Sequence, residues 1–258
     1  MNKYLKNLSR IEFMVTMACT GKCKHCSQGE HKSSDSIDKT VATDAVRKIA
    51  SEYRIESVMT FGGEPLLCAD TVCEIHKTAR EMNIPKRQLI TNGYFSKDFE
   101  KIKLTVERLA ENGVNEILLS VDAFHQENIP LQYVKAFAEA VKAIDVKIKV
   151  QPAWLVSQDA DNPYNNKTKE LLSVFNEMGI ETSEGNVIFP MGNALKYLSD
   201  YLKPMAENEN PYWENPVDIR AICFSANGDI LGGNIYKKDI NDILSCYKPK
   251  RRFFARNK

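Results

Sequence analysis

Ile11-Glu-Phe-Met-Val-Thr-Met-Ala-Cys19-Thr-Gly-Lys-Cys23-Lys-His-Cys26 is an apolar run that passes directly into three closely spaced cysteines. Residues 11–17 read as a strand, and the C-x3-C-x2-C spacing behind them puts three thiols on one loop. Three thiolates can hold three irons of a 4Fe-4S cube, which ordinarily takes four Cys. The fourth iron is then left without a protein ligand, and an open coordination position is where a metal does chemistry. Offsets of 0, 4 and 7 would also put the cysteines on one helix face, where Cys packs as a small apolar group. Thr20, Gly21, Lys22, Lys24 and His25 argue against a helix, because they are polar or helix-weakening. Zinc is the other reading, with His25 or His31 completing the ligand set.

Outward from this loop, helical and strand patterns alternate. Apolar residues recur at helical spacing over 39–53, 70–82, 97–112, 129–143 and 168–178, with a further helix expected at 194–202. Short apolar runs at 57–61, 88–90, 116–121, 146–150 and 186–189 read as strands. Pro130 falls in the first turn of its helix, and Gly113 and Gly179 close the helices before them. Strand–helix units repeated about six times imply a parallel sheet with helices outside it. Right-handed crossovers curl such a sheet, giving an α/β fold: a partial (β/α)6 barrel of the TIM type. Chemistry in these barrels sits at the carboxyl ends of the strands. Cys19, Gly62-Gly63-Glu64, Thr91-Asn92-Gly93, Asp122 and Gln151 all fall there. The Pro- and Asn-bearing stretch 207–218 separates a barrel, residues 1–206, from a small C-terminal cap, residues 207–258, with a helix at 240–244.

Composition narrows the class. The 258 residues are 43% hydrophobic and 27% charged, as in soluble globular chains. Lys and Arg number 35 against 34 Asp and Glu, so the net charge of +1 gives no overall footprint for nucleic acid. The basic tail at 248–258 reads as a solvated terminus, with a docking strip for an acidic partner as the alternative. No apolar run is long enough to span a bilayer, and Met1–Arg10 lacks the apolar core of a secretory signal. A cytoplasmic location is expected, where the seven cysteines bind metal, catalyse or pack rather than pair.

Gly62-Gly63-Glu64-Pro65 follows the second apolar run. Two glycines let backbone approach a ligand closely, a carboxylate beside them can accept from an ammonium, and Pro65 ends the strand. A tight turn with an exposed Glu is the plain alternative. Together, Cys19-x3-Cys23-x2-Cys26, Gly-Gly-Glu-Pro and Thr91-Asn92-Gly93 at three successive strand ends resemble a radical S-adenosylmethionine (radical SAM) enzyme over residues 11–190.

That resemblance implies one 4Fe-4S cluster on Cys19, Cys23 and Cys26, with the amine and carboxylate of S-adenosylmethionine on the open iron. One electron, from a donor such as flavodoxin or ferredoxin, would cleave the cofactor to methionine and a 5′-deoxyadenosyl radical that abstracts hydrogen from a substrate. In such families the Gly-Gly-Glu-Pro strand end meets the methionine ammonium, a role that falls on Gly62, Gly63 and Glu64. Asn92 contacts the cofactor from the third strand end. The residue before the last cysteine packs near the adenine; here it is His25, where an aromatic is more usual. Ser120 and Asp122, in Ser120-Val-Asp-Ala-Phe-His125, resemble the polar pair set on the ribose or carboxylate, and Gln151 walls the adenine. Ser120 also reads as a satisfied strand hydroxyl, His125 as a donor to substrate or a surface or loop histidine, and Trp154 as core.

The segment 222–235 resembles a SPASM-type extension, which carries auxiliary clusters on many cysteines. Only Cys223 and Cys246 remain downstream, with Gly232 where a ligand would follow Gly228. Two thiolates cannot fill a four-Cys cluster, so the cap reads as cluster-free. Cys68 and Cys73 read as buried thiols; a second cluster drawing on Cys68, Cys73, Cys223 and Cys246 is the alternative. The resemblance points to a peptide substrate modified at carbon. A glycyl-radical-enzyme activase, an enzyme acting on a small molecule, and a non-catalytic zinc module are the other readings.

Overall fold

The computed structural model describes residues 2–30, 33–202 and 214–249. His31, the residues around the expected domain division at 206 and the basic tail beyond residue 249 lie outside them. In chain order the elements are β1 (Arg10–Met14), α1 (Lys39–Glu52), β2 (Ser57–Phe61), α2 (Ala69–Glu81), β3 (Lys86–Thr91) and α3 (Phe99–Glu111). Then come β4 (Glu116–Ser120), α4 (Ala123–Gln126), α5 (Leu131–Lys142), β5 (Lys147–Gln151), β6 (Ala153–Trp154) and α6 (Pro163–Glu177). The last are β7 (Glu181–Thr182), β8 (Asn186–Val187), α7 (Asn193–Tyr197), β9 (Ala221–Phe224), β10 (Asp229–Ile230), β11 (Gly233–Asn234) and α8 (Ile240–Cys246).

Seven strands form one parallel sheet in the order β7-β5-β4-β3-β2-β1-β9. The alternation along each strand explains why. One set of residues, including Ile11, Phe13, Leu89, Ile117, Leu119 and Val150, is buried in the main core. The opposite set ends in Met14, Phe61, Ile90, Ser120 and Gln151, which line a cavity at the carboxyl ends. Helices begin where side chains cap them: Asp38 accepts from the N–H groups of Thr40 and Val41, and Asp98 from those of Glu100 and Lys101. Each cap stabilises by about 1 kcal/mol.

Four expectations change. β9, from the segment expected as a cap, adds to the sheet beside β1, with Arg10 opposite Ala221 and Phe13 stacked on Phe224 at 4.7 Å. The sixth strand of the barrel is β7; residues 186–187 instead pair with Ala153–Trp154 as a separate parallel ribbon. The cause is a tight turn: Trp154 Nε1 donates to Glu184 O at 2.8 Å, and Gly185 sits at φ 75°, where a Cβ would lie 2.4 Å from Pro152 O. α6 starts at Pro163, well before residue 168, because Asn162 accepts from Asn165 N and proline suits the first turn. Pro130 occupies the N-cap of α5 rather than its first turn. Among the described residues, no helix is long and apolar enough to cross a membrane.

Candidate active site

A cavity of about 510 Å³ opens at the carboxyl ends of the strands, walled by Cys19, Cys23 and Cys26 on one side. The cysteine loop is not helical. It is held by its own backbone: Gly21 N donates to Cys19 Sγ at 3.3 Å, Cys26 N to Cys23 O at 3.2 Å and Gly29 N to Cys26 O at 3.2 Å. A Cβ on Gly21 would sit 3.2 Å from Cys23 Sγ and 3.7 Å from Cys19 Sγ, so the two sulfurs flank that glycine. Burial pushes the Cys19 thiol up to about 11, reinforced by Glu64 and Cys26. Burial raises Cys23 further, with Asp122 adding to it, and raises Cys26 in the same direction. Thiols that resist ionising here need a cationic centre to hold them as thiolates, and this donor set suits an iron–sulfur cluster.

The turn after β2 supports that loop. Val15 N donates to Phe61 O, Gly63 N to Thr16 O and Glu64 N to Ala18 O, each at 2.8 Å. A Cβ on Gly63 would lie 2.1 Å from Ala18 O, and one on Gly62, at φ 141°, would lie 2.6 Å from Thr16 O. The two glycines line the cavity, but the close approach that demands them is to the chain leading into Cys19.

Glu64 departs from its expected place at the ligand. It is fully buried, accepting from Leu66 N at 2.9 Å, Thr91 Oγ1 at 2.7 Å and Asn92 N at 2.9 Å. Burial raises its pKa, and these three donors oppose the rise. Its carboxylate ties the turn after β2 to the turn after β3. Asn92 then reaches the cysteine loop: its Oδ1 accepts from Tyr94 N at 2.8 Å, and its Nδ2 lies 3.2 Å from Thr20 Oγ1 and 3.9 Å from Cys19 Sγ.

Asp122 lines the cavity. It is fully buried. Its Oδ1 accepts from Phe124 N and His125 N at 3.0 and 2.9 Å, capping α4. Its Oδ2 accepts from Ala153 N at 3.1 Å and pairs with His125 Nδ1 at 2.8 Å. Burial alone would raise this carboxyl, but the imidazole beside it more than offsets burial and holds the pKa at about 2. His125, read as a surface residue, stands in the cavity wall with its side chain 17% exposed. The ionised carboxylate only accepts, so Nδ1 carries the proton and Nε2 is left for other partners.

His25 also lines the cavity. Its ring lies 5.0 Å from Phe124 and 4.8 Å from His125, and its Nδ1 is buried without a hydrogen-bond partner. Burial holds its pKa down at about 4. Ser120 and Gln151 face the cavity, and Gln151 Oε1 accepts from Ser183 Oγ at 2.5 Å. Trp154 is core. Cys68 and Cys73 sit at α2, Cys223 in β9 and Cys246 at the end of α8, on three separate elements.

Gly192 and Asn193 escaped the sequence reading. Asn193 N donates to Cys26 O at 2.9 Å and Nδ2 to Cys23 O at 3.1 Å, while a Cβ on Gly192 would lie 2.5 Å from Ser27 O. The only signal was Pro190-Met-Gly192-Asn193 ahead of a helical run, which reads as an ordinary loop.

A family profile described as the Radical SAM superfamily matches residues 13–153, more than half the chain. The chain belongs to the radical SAM superfamily. Its members are enzymes. A probable GTP 3',8-cyclase of Saccharolobus islandicus is 26% identical over 179 residues, 69% of this chain and 54% of its own length. Molybdenum cofactor biosynthesis protein 1 of Dictyostelium discoideum is 21% identical over 160 residues, 58% of this chain and 24% of its own length. The chain thus spans from a quarter to about half of these curated relatives. Among solved structures, Streptococcus suis SuiB bound to precursor peptide SuiA aligns with a TM-score of 0.63 at 16% identity, over 95% of this chain and 66% of SuiB. The anSMEcpe structure with bound AdoMet aligns with a TM-score of 0.60 at 16% identity, over 92% of this chain and 80% of that one. At such identities the likeness shows the radical SAM fold.

Proposed function

We propose that Cys19, Cys23 and Cys26 hold a single 4Fe-4S cluster, that S-adenosylmethionine binds in the adjoining cavity, and that a peptide is the substrate. The observation that carries this reading is the set of three thiols from one loop in the wall of a cavity at the strand ends, with Gly62, Gly63 and Asn92 on its rim. When bound, the cluster and S-adenosylmethionine supply a one-electron cleavage that yields a 5′-deoxyadenosyl radical able to take hydrogen from carbon.

The chain's own residues do the rest. Asn92 holds the cysteine loop at Thr20 and Asn193 holds it at Cys23. The Gly62 and Gly63 backbone meets the methionine end, with Glu64 acting through the turns it joins. Ser120, Gln151 and His25 meet the adenosyl end from the cavity wall, and Asp122 acts through His125. Phe124 and Ala153 are buried together in an apolar cluster with Cys23.

Wall chemistry favours a peptide over a nucleoside triphosphate. None of the described residues lining the cavity is Lys or Arg, the side chains that a triphosphate calls for. Val187 and Met191, both exposed, add an apolar lip suited to an extended chain. The SuiB structure with its precursor peptide supports the same direction.

Anaerobic reconstitution with iron and sulfide should load about four irons per chain. Reduction with S-adenosylmethionine should then release 5′-deoxyadenosine, and Cys23→Ala should abolish it. Zinc uptake alone, with no 5′-deoxyadenosine from the wild type, would sink the proposal.

A further inference from the structure

A second donor set converges on the cysteine loop. Cys23, His25 and His125 each offer one ligand atom, and these atoms lie within 4.8 Å of one another. Two belong to the loop after β1 and one to α4. A tetrahedral zinc, with bonds of about 2.0–2.3 Å, sets its donors about 3.5 Å apart, so the three side chains need close by only about 1 Å.

Two more observations point to an ion. His25 Nδ1 is buried and unpartnered, an arrangement that costs free energy unless something occupies it. His125 is braced by a buried carboxylate, with Nδ1 on Asp122 Oδ2 at 2.8 Å. A carboxylate behind one ring nitrogen is how proteins orient a histidine whose other nitrogen binds metal.

We propose that Cys23, His25 and His125 form a single-ion site for a borderline divalent cation such as Zn²⁺ in the cluster-free protein, with Asp122 bracing His125. One thiolate and two imidazoles suit zinc or cobalt, not the hard cations Mg²⁺ and Ca²⁺. Three protein ligands leave the fourth position to water. Cys23 belongs to this set and to the cluster set, so the two occupancies exclude each other.

Cobalt reads this out. Co²⁺ is added anaerobically to the reduced, metal-free full chain, and thiolate-to-cobalt charge transfer and the strong visible bands of a tetrahedral ion are followed. A single Co²⁺ should bind and be displaced by Zn²⁺. His125→Ala and His25→Phe should each weaken binding about tenfold or more, and Cys23→Ala should remove the charge-transfer band. Cys19→Ala should leave cobalt affinity unchanged. His25→Phe keeps an aromatic ring against Phe124, so thermal melting of that variant separates ligand loss from misfolding. No cobalt binding, or binding that needs Cys19 and Cys26 but neither histidine, overturns the site. Because the readout uses neither iron nor S-adenosylmethionine, it fails independently of the proposed function.

Discussion

Glu64 and Asp122 are both fully buried carboxylates just past strand ends, yet their surroundings drive their ionisation in opposite directions. Glu64 accepts only from neutral donors and feels His125 only at a distance, so burial prevails and its pKa rises. Asp122 also pays for burial, but the His125 imidazole reverses the sign and holds the carboxyl at about 2. Burial disfavours the charged form of both; the imidazole in contact with Asp122 reverses the sign there, while its weaker pull on Glu64 does not. On the β1–β3 side the carboxylate is a joint between turns. On the β4–β5 side it is the back half of an ion pair whose front half faces the cavity.

The joint side carries the largest expected loss. Gly63→Ala would drive a Cβ to 2.1 Å from Ala18 O, where backbone has to move. The expected cost is about 4 kcal/mol or more, read as a large fall in Tm together with lost iron uptake. A Gly63→Ala protein that folds and loads iron normally would break the idea that the turn after β2 and the cysteine loop form one unit. Asp122→Asn comes next, at about 3 kcal/mol by urea unfolding, because it leaves His125 without its buried partner.

The same pair has a pH signature. A folded pKa of about 2 lies below the unfolded value of about 3.9. Its stabilisation is therefore present above about pH 4 and lost as pH falls toward 2, about 2.6 kcal/mol in all. Asp122→Asn should flatten that part of the acid limb; an unchanged limb would deny the ion pair. Glu64→Gln is the mildest, about 1–2 kcal/mol. Its amide oxygen can still accept from Leu66 N and Thr91 Oγ1, which share Oε1, but its NH₂ would face Asn92 N. A Glu64→Gln loss exceeding that of Asp122→Asn would reverse the comparison.

The barrel strands and the cysteine loop were legible because their signals are local: period-two burial, a fixed cysteine spacing and paired glycines. What misled was partner choice. Nothing in Gly-Gly-Glu-Pro says that Glu64 turns inward to Thr91 and Asn92, since that depends on a strand that starts about twenty residues later. Ser-Val-Asp-Ala-Phe-His drew attention to Asp122, but not to its second task as the N-cap of a short helix. Asn193 was invisible for the same reason, its two acceptors lying on the other side of the chain. β7 and β8, two residues each, are too short to carry a period.

The pairing of β9 with β1 also shapes how the molecule comes together. Five of the six pairings within the sheet join strands close in sequence, whereas Arg10 must find Ala221. That contact has the highest loop-closure cost in the sheet, so it is expected to form last and to slow folding. Until residues 221–224 emerge from the ribosome, β1 is a bare edge, open to wrong partners. The strand that launches the cysteine loop is thus left unguarded longest during synthesis, and a cell making this protein has reason to delay metal delivery until the chain has closed.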